Sequence, residues 1–241
     1  MKTEEHPGRT TGGPDPGQPP IKGFLETSFV DWPGKLCAIL FVGGCNFRCP
    51  FCHNHPLVLA PEELDTIPFP EVLTRLSRRK SWLDGVCVSG GEPTLFPGLP
   101  AMIARLKAEG WAVKLDTNGT RPAVLEALLT QGLLDMVAMD VKAPLVQQKY
   151  NQCAGCAVDL AAIRRSIDLL TASSVPHEFR MTVSPRLHSE EDILAWRNGL
   201  GAAHSGRRLQ NFSPKTTLDP FFEQEPSFSP EDFVRLQALI A

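Results

Sequence analysis

The chain has 241 residues, 42% of them hydrophobic and 21% charged, with a formal net charge of −3. That length suits one large domain with a core of its own, and the composition is ordinary for a globular protein. A slightly acidic balance without a basic run excludes a nucleic-acid footprint, and no apolar stretch reaches the roughly 18 residues that would cross a membrane.

Residues 1–20 are polar, rich in Gly and Pro, and lack an apolar h-region, so they read as a disordered tail and not as a signal peptide. Residues 21–29 suit a short strand or ribbon ahead of the core. Residues 36–42, from Leu36 to Val42, are a continuous apolar run of buried-strand length. A helix is predicted over residues 71–80 and a second buried strand over residues 85–89. Residues 99–109 read as a helix that Gly110 stops, and residues 111–116 as the third strand. Pro122 sits where a first helical residue would, opening a helix to Gln131 that Gly132 ends, and residues 135–140 give the fourth strand. Asp159 can cap a helix to Ala172, and residues 177–183 form strand five. Ser189, with Asp192 three residues on, starts a helix reaching about Ala203, and residues 207–212 make strand six. Pro214, Pro220, Pro226 and Pro230 then punctuate a loose stretch before an amphipathic helix over residues 231–240.

Six strands alternating with helices call for parallel βα units. No G-x-G-x-x-G follows the first buried strand, so a dinucleotide-binding fold is unsupported. The pattern alone leaves an open sheet and a partial barrel as equal solutions. In a βα barrel the reactive groups gather at the C-terminal ends of the strands. Here those ends carry Cys45, Cys49 and Cys52, then Ser89-Gly90-Gly91-Glu92, then Asp116-Thr117-Asn118-Gly119, then Asp140 and Lys142. Four consecutive strands thus deliver polar or glycine-rich groups to one rim.

Seven cysteines without a secretory signal suit a reducing, cytoplasmic setting, where clustered thiols more often bind metal than form disulfides. Three of them fall in Cys45-Asn46-Phe47-Arg48-Cys49-Pro50-Phe51-Cys52-His53-Asn54. A closed zinc site or an electron-carrying cluster normally takes four protein ligands, so three thiolates leave one position for something else. Arg48 and the loop amides are candidates to hold an anionic cluster. Cys37 and Cys87 lie within apolar strands and read as small buried hydrophobes. Cys153 and Cys156 form a CxxC too sparse for a cluster or closed zinc site, and read as incidental cysteines in a loop.

The spacing CxxxCxxC, with the aromatic Phe51 before its last cysteine, resembles the signature of the radical S-adenosylmethionine (radical SAM) family. Together with Asp31-Trp32-Pro33-Gly34-Lys35 and Gly43-Gly44 before Cys45, it resembles anaerobic ribonucleoside-triphosphate reductase activating proteins. These are relatives of the pyruvate formate-lyase activating enzymes. The resemblance runs over about residues 23–212 and implies an α/β fold, a partial (β/α)6 TIM-like barrel over residues 21–213, with residues 214–241 as a C-terminal extension.

The resemblance also implies a set of roles. Cys45, Cys49 and Cys52 would hold a [4Fe-4S] cluster whose fourth iron is chelated by S-adenosylmethionine, with Phe51, Cys52 and His53 beside the cofactor. Gly90, Gly91 and Glu92 resemble a clamp on its amino group, so Gly91→Val is expected to weaken cofactor binding and spare the cluster. Asp116, Thr117 and Asp140, with the Ala138 carbonyl, match a monovalent-cation site. Two neighbouring carboxylates need a cation or donor between them in any case. Lys142 and Arg180 would meet the cofactor's polar end. Ser213 stands where related enzymes place a histidine, and Asn211 replaces a usual proline. The implied reaction is reductive cleavage of S-adenosylmethionine and transfer of the radical to a glycine of anaerobic ribonucleotide reductase or another glycyl radical enzyme. Flavodoxin or ferredoxin would be the electron donor.

Plainer readings stand beside these. The paired glycines also suit a strand-to-loop turn, Asp140–Lys142 a surface ion pair, and Arg180 an inward structural arginine. A radical SAM enzyme acting on a peptide or small molecule carries the same motifs, and a non-catalytic iron–sulfur or zinc module shares the cysteines.

Overall fold

The run of buried β-branched and aliphatic residues after Lys35 forms the first parallel strand of a seven-stranded sheet, seen here in a computed structural model that describes residues 17–201 and 206–241. The tail expected at residues 1–20 falls almost wholly outside the described residues, as does the helix end expected at Ala203. The strands are β1 (Ile21–Ser28), β2 (Cys37–Val42), β3 (Gly85–Gly90), β4 (Ala112–Thr117), β5 (Met136–Asp140), β6 (His177–Val183) and β7 (Gly206–Asn211). They pair in sequence order, with β1 antiparallel to β2 and each later pair parallel. Six parallel strands with crossover helices are the partial barrel expected; the ribbon at the start adds the seventh strand.

The helices are α1 (His55–Leu59), α2 (Phe69–Ser77), α3 (Leu99–Ala108), α4 (Pro122–Thr130), α5 (Gln147–Ala154), α6 (Leu160–Ala172), α7 (Glu190–Gly199) and α8 (Pro230–Ala238). Asp159 caps α6 by accepting from the amides of Ala161 and Ala162, and Ser189 and Asp192 close a capping box on α7. Each such cap is worth about 1 kcal/mol. Helix α7 stops at Gly199, short of the expected end, with Gly201 at φ +74° just beyond it. Helix α5 had no forecast. Its only buried residues are Tyr150, Cys153 and Ala154, too few to set a periodic signal in a polar segment.

Alternation along the strands divides the sheet into two faces. Ala38, Leu40, Val86, Val88, Val113, Leu115, Val137 and Met139 face the helices and belong to the main core. Residues of the other parity line the inside of the curve. Its closed end is a small apolar plug of Trp32, Cys37, Ile39 and Cys87, so both strand cysteines are buried as expected. Gly85 makes room for that plug, since a Cβ there would lie 2.7 Å from the Trp32 ring. Among the described residues no helix is long and apolar enough to cross a membrane.

Candidate active site

The loop leaving β2 has no regular structure of its own, and its shape is imposed by three other segments. Gly44, at φ +91°, donates its amide to the Leu57 carbonyl at 2.7 Å. The Arg48 amide donates to the Ala154 carbonyl at the end of α5, 2.8 Å away. Gly155 then turns the chain at φ +68°, so close that a Cβ would fall 1.9 Å from the Arg48 carbonyl oxygen. The Cys156 thiol faces the Asn46 carbonyl at 3.4 Å. From the C-terminal side, the amides of Leu218 and Asp219 donate to the carbonyls of Cys52 and Pro50, at 3.1 and 3.0 Å. The CxxC is thus a brace over the cysteine loop; Cys153 itself is buried on α5. Arg48 spends its guanidinium on the carbonyls of Cys45 and Phe47, at 2.7 and 2.8 Å, so it rigidifies the loop backbone.

Cys45, Cys49 and Cys52 open onto one cavity, whose empty space including its mouth is about 820 Å³. Burial pushes the Cys45 thiol up to about 11 and the Cys49 thiol up to about 12. Metal binding there would therefore release protons. Among the described residues no three His, Cys, Asp or Glu side chains group around a single ion. Among the described residues no fourth cysteine and no histidine lines the cavity. That donor set fits a multi-iron cluster with one corner left for an outside ligand, and does not fit a closed mononuclear zinc site.

The facing wall comes from the other strand ends. Gly90, at φ +115°, lies against β2, where a Cβ would sit 2.4 Å from the Val42 nitrogen. A Cβ on Gly91 would come within 1.9 Å of the Gly44 oxygen, and the Glu92 amide donates to that same oxygen at 2.8 Å. The glycine pair therefore locks directly onto the residue before Cys45. A larger residue at Gly91 displaces the cysteine loop, which corrects the expectation that the cluster would be spared. The Glu92 side chain is 1% exposed. Its carboxylate accepts from the Thr94 amide and hydroxyl, from the Thr117 hydroxyl at 2.7 Å and from the Asn118 amide at 2.6 Å. Burial raises its pKa against those four donors. Glu92 ties the β3 exit to the β4 exit, and the part of the motif left facing the cavity is its backbone.

The floor is a charged layer. Asp116 receives the ammonium of Lys114 on one oxygen, and the Ser89 hydroxyl at 2.9 Å and the Arg180 guanidinium at 3.5 Å on the other. Asp140 receives Arg180 Nε at 2.8 Å and Lys142 Nζ at 3.1 Å. Burial works against the Asp140 carboxylate, but Arg180 and Lys142 outweigh it and hold the group well below the usual carboxylate range. The Asp140–Lys142 pair is thus largely buried, unlike a surface ion pair. What lies between the two aspartates is Arg180, and the Thr117 hydroxyl is turned to Glu92. These residues do not fit an exchangeable cation as they stand.

The cavity gathers Cys45, Cys49, Cys52, Gly90, Gly91, Glu92, Asp116, Thr117, Asp140, Lys142 and Arg180. It does not gather Phe51 or His53. Phe51 is buried against Phe222, with ring centroids 6.4 Å apart. His53 stacks on Phe212 and meets the Ser213 carbonyl at 2.8 Å through Nε2. Both are turned toward the C-terminal segment, whose apolar side chains they cover. Asn118, placed at the rim from its strand end, does line the cavity, whereas Asn54 and Gln210 on its wall and Lys114 beneath it were given no role from the sequence. Asn54 donates to the Gly90 carbonyl at 3.2 Å, and Asn118 to the Asn46 side chain at 2.9 Å. Lys114 was legible, because it stands two residues before Asp116 and so shares its face.

Against known proteins, residues 39–196 match the family model of the Radical SAM superfamily. A Methanocaldococcus jannaschii protein, provisionally named a glycyl-radical enzyme activating enzyme, is 35% identical over 211 residues, covering 86% of this chain and 85% of its own. The pyruvate formate-lyase-activating enzyme of Staphylococcus aureus is 35% identical over 136 residues, covering 51% of this chain and 54% of its own, about half of each. Two solved structures share the fold. SuiB of Streptococcus suis bound to S-adenosylmethionine gives a TM-score of 0.65 at 16% identity, over 81% of this chain and 44% of that one. TYW1 with a lysine-pyruvate adduct gives 0.58 at 17% identity, over 84% and 72%. The chain belongs to the radical SAM superfamily, in its branch of glycyl-radical-enzyme activating enzymes.

Proposed function

We propose that this protein activates a glycyl radical enzyme, and that its partner is anaerobic ribonucleotide reductase. The superfamily's [4Fe-4S] cluster and S-adenosylmethionine are its cofactors. When bound, they supply the one-electron chemistry that removes a hydrogen atom from the partner's glycine. One observation carries the reading: three thiols open on a cavity in which, among the described residues, every carboxylate is already engaged by protein donors and no fourth thiol or imidazole stands ready.

Each wall then has a task. Cys45, Cys49 and Cys52 would take three irons. Gly90 and Gly91, packed without a Cβ against Val42 and Gly44, line the cavity where an amino-acid ligand would sit. Asp116 and Asp140 face three cations, Lys114, Arg180 and Lys142, which leaves a fixed surplus of positive charge to receive a ligand carboxylate. Asn118 and Gln210 offer neutral polar groups to the rest of the ligand. The choice of the ribonucleotide reductase as partner is supported by the Asp31-Trp32-Pro33-Gly34-Lys35 string, and flavodoxin or ferredoxin is the proposed electron donor.

The test is anaerobic reconstitution. We expect about four irons per chain, release of 5′-deoxyadenosine on reduction with S-adenosylmethionine, and a glycyl radical signal by electron paramagnetic resonance on added anaerobic ribonucleotide reductase. Zinc in place of iron, with no cleavage product, would defeat the proposal. A radical on pyruvate formate-lyase and none on the reductase would reassign the partner.

A further inference from the structure

Among the described residues Lys114 is the one charged side chain wholly enclosed within the curve of the sheet, with no exposed surface at all. It stands between the apolar plug and the cofactor cavity. Below it the Cys87 sulfur lies 3.8 Å from Nζ, and above it Asp116 accepts the ammonium. It lies beneath the cavity and is absent from its lining. A buried lysine is costly unless paired, so its presence needs a reason that packing does not give.

The oxygens above it supply the reason. All four carboxylate oxygens of Asp116 and Asp140 meet a protein donor: Lys114 on one, Ser89 and Arg180 on the second, Arg180 on the third, Lys142 on the fourth. The Thr117 hydroxyl donates to Glu92 and accepts from the Gly119 amide at 3.1 Å. An entering sodium or potassium ion would find these side-chain oxygens already engaged. It would also face three fixed positive charges.

We propose that Lys114 is a tethered counterion, standing with Arg180 in the place of an exchangeable monovalent cation at the Asp116–Asp140 pair and making S-adenosylmethionine binding independent of sodium and potassium. The inference rests on the proposed use of this cavity for S-adenosylmethionine. A tethered ammonium is always present and surrenders no translational freedom on each binding event, as a free ion must. It also charges the floor before the cofactor arrives.

The experiment compares reconstituted protein in choline, sodium and potassium chloride at equal ionic strength, reading S-adenosylmethionine affinity by calorimetry. Wild-type affinity should differ by less than about twofold among the three salts. Lys114→Met keeps the length of the side chain and removes its charge. That variant should bind about tenfold more weakly in choline and recover in sodium or potassium. A wild-type affinity that rises fivefold or more with sodium or potassium overturns the proposal, by about the energy that one ion pair supplies. So does a Lys114→Met protein that binds in choline as well as wild type. Should that variant fail to fold, the wild-type comparison decides alone. A wild type that binds S-adenosylmethionine in no salt refutes the functional reading instead. The unfolding midpoint then tests the counterion separately, and a rise specific to sodium or potassium overturns it.

Discussion

His188 is a neutral histidine in a place where protonation has nowhere to go. It is 3% exposed, on the segment joining β6 to α7. Its Nδ1 accepts from the Ser184 amide at 3.2 Å, which puts the proton on Nε2, directed at the Lys142 carbonyl 3.1 Å away. The imidazolium would press an N–H against the Ser184 amide. Burial lowers its pKa from 6.5 to about 4; the nearby Lys149 ammonium acts in the same direction, while the Lys142 carbonyl and Asp192 oppose it. The folded pKa lies below the unfolded one, so this contribution is complete above pH 6.5 and is lost as pH falls toward 4. Over that window, at about 1.4 kcal/mol per unit, the loss comes to roughly 3 kcal/mol. The assay is urea unfolding of iron-free protein across that range, wild type against His188→Gln, so that acid lability of the cluster drops out. Wild type should lose roughly 3 kcal/mol more than the variant. Parallel curves for the two proteins would refute the assignment of a neutral, buried donor.

Three further substitutions probe the frame around the cysteines. Gly91→Ala drives a methyl into the Gly44 oxygen, 1.9 Å from the ideal Cβ, so iron loading and S-adenosylmethionine binding should fall together; normal iron content would contradict that contact. Gly155→Ala must bear a positive φ and a methyl against the Arg48 carbonyl. It should cost more than about 2 kcal/mol in chemical denaturation, and an unchanged midpoint would dismiss the brace. Glu92→Gln keeps the shape but sets an amide NH2 among the donors from Thr94, Thr117 and Asn118. A loss of about 2–4 kcal/mol is expected, and a variant as stable as wild type would mean the carboxylate is not the acceptor.

The strands and the cysteine loop were legible because their signals are local. Continuous apolar runs such as residues 36–42 need only a neighbouring strand to become β2. Caps at Asp159 and Ser189 act within three residues and read correctly. What could not be read was where each side chain turns. Glu92 and Thr117 were assigned to ligands on their positions, yet they bond each other across 25 residues of chain. His53 and Phe51 sit among the cysteines in sequence and point away from them in space, drawn by Phe212 and Phe222. Helix α5 was hidden because its apolar content is three residues, and its value lies in what its last turn holds.

The placement of charge follows from strand parity. On the inner face β3 runs Gly85, Cys87, Ser89, and β4 runs Ala112, Lys114, Asp116, each passing from apolar or small at one end to polar at the other. The same gradient runs through Met136, Ala138 and Asp140 on β5. Because the strands are parallel, all the polar ends fall at one end of the curve, and the plug around Trp32 closes the opposite one. A single antiparallel strand in that series would have delivered its carboxylate to the plug. The cysteine loop leaves the polar end without internal structure, so its form depends on distant pieces: α5 through Ala154 and Gly155, and the C-terminal segment through Leu218, Asp219 and Phe222. Residues beyond β7 are therefore part of the site's scaffold, even though none of them lines the cavity.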